Sequence, residues 1–387
     1  MQRALVAIIG LTGACGFTAQ PSSGEPSNGS GSDAAVDAAP DALSLPAARR
    51  RKLITFNMAK VAATQQDFPA WIELDDTDIA ARAQTDGRDL YFTASDGTTA
   101  LDHELQLADL PNHHFAAWVR IPTLSASTAT TIYVNYGDPA AAPPPRPAQV
   151  FKSSFAAVWH LDDALPATTI ADATGTHPGT PVLTGATTRT TGRLGNGFAF
   201  TGALNDRIEF VNPLSDNNPH TISVWVNQAA NLSHTAAIVA MGTATGGNSR
   251  WLHGHYSPSA GAPSSLAAGF YGPDFNPSPA ENLDGAGPTY VVWVFEGPNK
   301  KNHLYRNGTE IAAGTFMASG NTINTTGTTG YIGYAPMPAY GPNNAYEGTL
   351  DELRIATVAR APEWIATEYA NQQAAAQFYT VGPELVP

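Results

Sequence analysis

The 387 residues predict an all-β protein: a small antiparallel β-sandwich, then a larger two-sheet jelly roll with one short C-terminal helix. Three observations predict it. Charged residues are only 14%, while Gly (35) and Pro (30) are abundant, a mixture poor in helix formers and rich in turn formers. Short strand-like runs recur at intervals of about 8–12 residues with turn signals between them, the pattern of a sandwich. Hydrophobic residues make up 43%, enough to bury a sizeable core in the two or three domains this length suggests.

The chain opens with MQRALVAIIGLTGAC, a basic start at Arg3, an apolar run, then small residues before Cys15. This is the layout of a secretory signal, and the run is too short to span a membrane as a helix. Small residues before a cysteine resemble the bacterial lipobox, which implies lipidation of Cys15, although Thr12 stands where an aliphatic residue is usual. Ordinary cleavage nearby, with Cys15 incidental, is the alternative. Gly16 follows in place of the Asp that marks inner-membrane retention, so the expected location is the outer membrane or cell surface of a bacterium. Cys15 is the single cysteine, which excludes an internal disulfide and a four-cysteine zinc site. Residues 16–48 are Ser-, Gly-, Ala- and Asp-rich without apolar periodicity and read as a disordered acidic tether.

Structure is expected from residue 49. KLITFN, AWIEL, DLYFTA, DHELQL, FAAWVRI and TTIYVNYG read as strands of a small sandwich over 49–138. The prolines of 139–150 then predict an extended, semi-rigid linker. From 151 to 387 a second block holds about a dozen strand candidates, the size of a jelly roll. Within it Asn307-Gly308 separates two strands and predicts a two-residue hairpin, since both residues tolerate positive φ. APEWIATEYANQQ, 361–373, predicts a helix with Pro362 in its first turn and a docking stripe of Trp364, Ile365 and Tyr369. AQFYTVGPELV then reads as a strand returning to one of the sheets.

Two resemblances emerge from these residues. VWHLDD, GNGFAFTG, TISVWV, LYRNGTEI, YIGY and GTLDELRIATVARAPEWIATEY, in that order, resemble the LamG-type, concanavalin A-like lectin/glucanase jelly roll. RRKLITF, DGRDLYFTASDGTTALDHEL, AAWVRIP and TTIYVNYGD resemble the bacterial domain-of-unknown-function 2341 module. The resemblance implies the fold and only loosely the function, because the same jelly roll hosts lectins, glycanases, adhesion modules and spacers. It also implies a structural calcium ion, Ca2+, held by Asp163, a carbonyl near Gly202 and Asp351.

The net charge of −13 lacks the basic footprint that nucleic-acid binding requires. Glucanases of this fold carry Glu-x-Asp-x-x-Glu on one strand, and no such run occurs. Asp351 and Glu352 are adjacent, so on a regular strand they point to opposite faces. No nucleophile elbow and no phosphate-cradling loop is present. His253 and His255, two apart, are expected on one strand face, as a zinc pair or as ordinary strand histidines. For a sugar ligand the candidate platform is Trp251, His253, Tyr256, Tyr271 and Phe275, with burial in the core as the competing role for the aromatics. Trp159, Trp225 and Trp293 read as core. The expected function is therefore non-catalytic: a monomeric surface lipoprotein, anchored only through lipid, that binds a glycan or surface protein. A ligand-free spacer and a divergent glycan-active enzyme with acids drawn from loops are the alternatives.

Overall fold

A computed structural model describes residues 50–138, 143–152, 154–183, 187–204, 206–242, 249–256, 263–270, 274–297, 301–315, 327–336 and 344–386. The signal segment, the tether and Cys15 lie outside them. The first strand, β1 (Arg50–Phe56), alternates so that Ile54 and Phe56 are buried. It is followed by β2 (Gln65–Asp75), α1 (Thr77–Arg82), β3 (Tyr91–Ala94), β4 (Ala100–Leu101), β5 (His103–Asp109), β6 (His114–Leu124) and β7 (Thr131–Tyr136). Asp76 starts α1 by accepting the Asp78 and Ile79 amides on its side chain.

The prolines of 143–147 do not end in a free spacer. Arg146 donates its amide to His103 and pairs with Asp102 at 2.5 Å, and Pro147 opens α2 (Pro147–Val150). Val150 and Phe151 are fully buried in the same core as the first sandwich. This docking corrects the linker expected over 139–150; its residues 139–142 lie outside the described ones.

The second sandwich is built from β8 (Phe155–Trp159), β9 (Thr180–Val182), β10 (Thr188–Thr191), β11 (Asn196–Thr201), β12 (Arg207–Val211), β13 (His220–Gln228), β14 (Ala236–Gly242), β15 (Ser249–Tyr256), β16 (Ser265–Phe270), β17 (Asp274–Phe275), β18 (Thr289–Phe295), β19 (Lys301–Arg306), β20 (Thr309–Thr315), β21 (Thr329–Ile332) and β22 (Glu347–Ala356). An eight-stranded sheet runs β10-β11-β22-β13-β18-β19-β20, with β8 also on β22. A seven-stranded sheet runs β17-β16-β15-β14-β21-β12-β9. Trp159, Ile222, Trp293, Leu350 and Leu252 fill the space between them. The β19–β20 hairpin turns on Asn307 (φ 51) and Gly308 (φ 76), as the dipeptide predicts.

The helix α3 (Pro362–Gln373) begins at the expected proline. It is buried on more than its apolar stripe. Trp364 and Ile365 join a core that includes Phe68 and Trp71 of the first sandwich and Trp225, Tyr290 and Val292 from the outer face of the eight-stranded sheet. Tyr369 stacks on Trp225 and Tyr290 at 5.9 and 6.2 Å. The polar residues are engaged as well. Asn371 accepts the Trp71 amide and donates to the Trp71 carbonyl, and Gln372 accepts the Trp225 indole N–H.

After α4 (Ala375–Phe378) comes β23 (Tyr379–Leu385), which pairs antiparallel with β1. The first sandwich is then a five-stranded sheet, β23-β1-β7-β3-β4, and a three-stranded sheet, β2-β6-β5. This corrects the jelly-roll boundary at 387: the last strand belongs to the first sandwich, so that module is assembled from both ends of the described chain.

A core shared by the first sandwich, the helix and the outer face of the eight-stranded sheet predicts one cooperative unfolding transition by circular dichroism and fluorescence. Trp364 lies 5.2 Å from Phe68 and under the Arg360 guanidinium at 3.8 Å. Trp364→Ala should lower the unfolding free energy by about 3–5 kcal/mol, read from the urea midpoint.

Candidate functional site

Antiparallel residues directly opposite one another share a face. Registers across the seven-stranded sheet therefore define rows. One row runs Ala268, Leu252, Val239, Ile332, Ile208, and all five are core. The neighbouring row, on the outer face, runs Gly269, Trp251, Ala240, Tyr331, Glu209, Thr180. His253 stands beside it, opposite Ala237 and Ala267.

The structure brings three of the five expected platform residues together. Trp251 stacks on His253 at 4.4 Å and 23°, and Tyr256 lies 5.4 Å from Trp251. All three are enclosed, at 0%, 0% and 1% exposure, so in this state they form the floor of the face and not an open platform. Phe275 leaves the group: it pairs with Ala268 and packs against the inter-sheet core, because that register puts it on the inner face. Tyr271 lies outside the described residues.

The accessible part of the face holds residues that sequence reasoning missed. Tyr331 and Tyr334 are half-buried, 5.8 Å apart and edge to face. Arg207 and Glu209 are half-buried beside them; Arg207 Nε donates to Glu209 Oε1 at 2.8 Å, and the guanidinium lies 5.7 Å from the Tyr334 ring. The signal was available in RIEF, where apolar and polar residues alternate; it was not in YIGY, where Tyr331 and Tyr334 are three apart and Tyr334 follows the strand end and Gly333 at φ 78°.

His253 and His255 do not share a face. A bulge on β15 sets His253 opposite Ala237 and His255 opposite the adjacent Ala236. His255 Nδ1 is held by Asp284 at 2.9 Å, whereas neither ring nitrogen of His253 has a partner. Burial pushes the His253 imidazole down to about 3, so it is neutral.

The expected calcium ligands do not fit one ion. Asp351 lies opposite the start of β11, where its Oδ2 accepts the Arg193 and Leu194 amides. Gly202 lies past the other end of β11, bonded to the Tyr346 carbonyl. Tyr346 and Asp351 are five strand positions apart, about 17 Å. Asp163 is committed to the Ala171 amide. Among the described residues no group of three His, Cys, Asp or Glu side chains is placed to hold a metal.

Asp351 and Glu352 do not diverge as expected of adjacent strand residues. β22 carries a bulge at Glu352, whose φ is 55°, so Leu350, Leu353 and Ile355 face the core while Asp351, Glu352 and Arg354 turn outward. They turn into the joint between the sandwiches. Glu352 accepts from His160 Nδ1 at 2.7 Å and from Arg354 at 2.8 Å; His160 Nε2 meets Glu104 of the first sandwich at 3.1 Å. Arg354 also donates to Glu368 of α3 at 2.9 Å and lies 4.2 Å from the Trp118 ring. Gln106 links the Trp118 indole, at 2.7 Å, to Glu352, at 3.3 Å. Against its own burial, His160 is held well above its usual range by Glu352 and Glu104. Glu352, likewise opposing burial, is lowered to about 2 by His160 and Arg354. Burial and then Glu352 push Asp351 well up, against the Leu194 and Arg193 amides that its carboxylate accepts.

Residues 174–366 match the family model of the concanavalin A-like lectin/glucanases superfamily, and residues 86–163 match that of the domain of unknown function DUF2341. A module of the second kind is thus followed by a domain of the first. No curated protein matches the chain. Among solved structures, domain 4 of the extracellular arabinanase AbnA from Geobacillus stearothermophilus, in complex with arabinotriose, is 20% identical over 56% of this chain and 98% of that one, with TM-score 0.41. Trypanosoma rangeli sialidase is 13% identical over 67% of this chain and 40% of its own, with TM-score 0.39. The botulinum neurotoxin type G receptor binding domain is 13% identical over 57% and 52%, with TM-score 0.37. None of these likenesses is close enough to transfer a function.

The joint makes stability depend on pH with a defined sign. His160 has a raised folded pKa, so its contribution is full below about 6.5 and is lost as pH rises through the folded value. Glu352 has a lowered one, so its contribution is full above about 4.5 and lost only as pH falls towards 2. His160→Gln should cost about 3–5 kcal/mol at pH 6, and the gap to the wild type should narrow towards pH 10 in urea titrations. Asp351→Asn, which keeps an acceptor for the two amides, should cost less than Asp351→Ala.

Proposed function

We propose that this chain, a DUF2341 module followed by a concanavalin A-like domain, is a non-catalytic bacterial surface protein that captures a glycan on the outer face of its seven-stranded sheet. The observation that carries the reading is the outer row itself. Trp251, Tyr331 and Glu209 stand in register on a face whose reverse is wholly core. A sheet face exposed only to solvent has no need of this combination: flat rings, a planar Arg207–Glu209 pair and an unpartnered His253. Rings with an apolar body and a polar tip suit a ligand that is apolar on its flat faces and hydroxylated at its edge.

Binding without cleavage is supported by how the carboxylates are used. Glycoside hydrolysis takes a pair of carboxyl groups flanking the bond. In the described outer row Glu209 is the single carboxylate, and it is held by Arg207. Asp351 and Glu352 are 2% and 1% exposed, and Glu352 is committed to His160 and Arg354. A ligand-free structural role is the second reading, favoured by the enclosure of Trp251, His253 and Tyr256.

Titration of the folded chain against soluble polysaccharides separates the two. A glycan should bind, and Tyr331→Ala and Tyr334→Ala should each weaken it about tenfold with the unfolding midpoint unchanged. Binding of no polysaccharide, or binding indifferent to both substitutions, overturns the assignment. Surface display rests on lipidation of Cys15: labelled palmitate should enter the protein in a bacterial host, and Cys15→Ser should abolish incorporation and release the protein from the membrane fraction.

A further inference from the structure

We infer that the ligand of this face is an uncharged, polyhydroxyl glycan whose hydroxyls are taken up by His253 at the enclosed end of the row. The inference rests on the proposed function and narrows it. His253 is fully buried, and both Nδ1 and Nε2 lack a partner. Each polar atom left this way costs about 1–3 kcal/mol, a penalty that the fold of β15 does nothing to relieve. Among the described residues, those around the ring are Trp251, Tyr256 at 5.7 Å, Ala237 and Ala267, none of them charged.

A neutral imidazole presents one donor and one acceptor. The missing partners must therefore accept at one nitrogen and donate at the other, on opposite sides of the ring, which separate hydroxyls of a glycan do, each being both donor and acceptor. A carboxylate or sulfate only accepts, and it would bring an uncompensated charge into an apolar enclosure. The open end excludes acidic sugars for a separate reason. Arg207 gives both Nε and a terminal nitrogen to Glu209 at 2.8 Å, so its charge is already matched. Trp251 and Tyr331 stand two strands apart, about 10 Å, so a ligand entering over the tyrosines reaches the tryptophan side of the row. Because His253 is enclosed in the free chain, its engagement requires the face to open, and association should be slower than for a preformed site.

The test uses the full chain with two sets of probes: neutral polymers (galactomannan, xyloglucan, arabinan) and acidic ones (polygalacturonate, chondroitin sulfate). A neutral polymer should bind with affinity constant between pH 5 and 9. His253→Gln should weaken it about tenfold, as expected for lost hydrogen bonds. Should that variant fold poorly, the imidazole nitrogen resonances of His253 in the wild type carry the same information and should shift on saturation. Binding of an acidic polymer alone, abolished by Tyr331→Ala, overturns the inference and leaves the site standing. Neutral binding with His253 resonances unmoved overturns it too. If no polymer's binding responds to Tyr331→Ala, the site itself is wrong and the inference falls with it.

Discussion

The molecule turns on a largely buried charged joint. His160 is clamped between Glu104 of the first sandwich and Glu352 of the second, while Arg354 joins Glu352 to Glu368 of the C-terminal helix. Burying so many charges is unfavourable unless every member finds its partner, and removal of one leaves another stranded. Such a network therefore adds less to net stability than to specificity: it is satisfied in one relative placement of the two sandwiches and the helix. The Trp118 ring under Arg354 and the Gln106 bridge add direction to that choice.

The joint also decides which surfaces remain for binding. A two-sheet jelly roll has two outer faces. Here the one on the eight-stranded sheet presents Trp225, Tyr290, Val292 and Tyr305, and these are sealed by the helix and the first sandwich. The proposed recognition falls to the outer face of the seven-stranded sheet, which takes no part in that shared core. The first sandwich thus acts as a mount. Because β23 closes it from the far end of the chain, it is not a bead that could be deleted without cost to its neighbour.

What was legible in the sequence was local. Asn307-Gly308 specifies its own turn, Pro362 its own helix start, and the alternation of RIEF its own two faces. What was not legible was set by distant partners or by a single extra residue. The bulge at Glu352 turns adjacent carboxylates to one side, and the bulge on β15 parts two histidines that simple alternation puts together. Neither leaves a mark in composition, since any residue in a short run can be the extra one. The C-terminal strand was readable as a strand, but its partner lies over 300 residues away, and only the joint brings β1 within reach.

The two outer faces show why aromatic patterning alone cannot identify a binding site. Trp225 and Trp251 sit on equivalent outward positions of their sheets, and each looks in sequence like a residue alternating with core. Trp225 has an answer on every side: Gln372 accepts its N–H and Tyr369 stacks on its ring. The residue next to Trp251 on its face, His253, has none for either nitrogen. On the proposed reading the partner that His253 lacks comes from outside the chain, and that difference, more than the presence of tryptophan, separates the face that holds the protein together from the face proposed to bind a ligand.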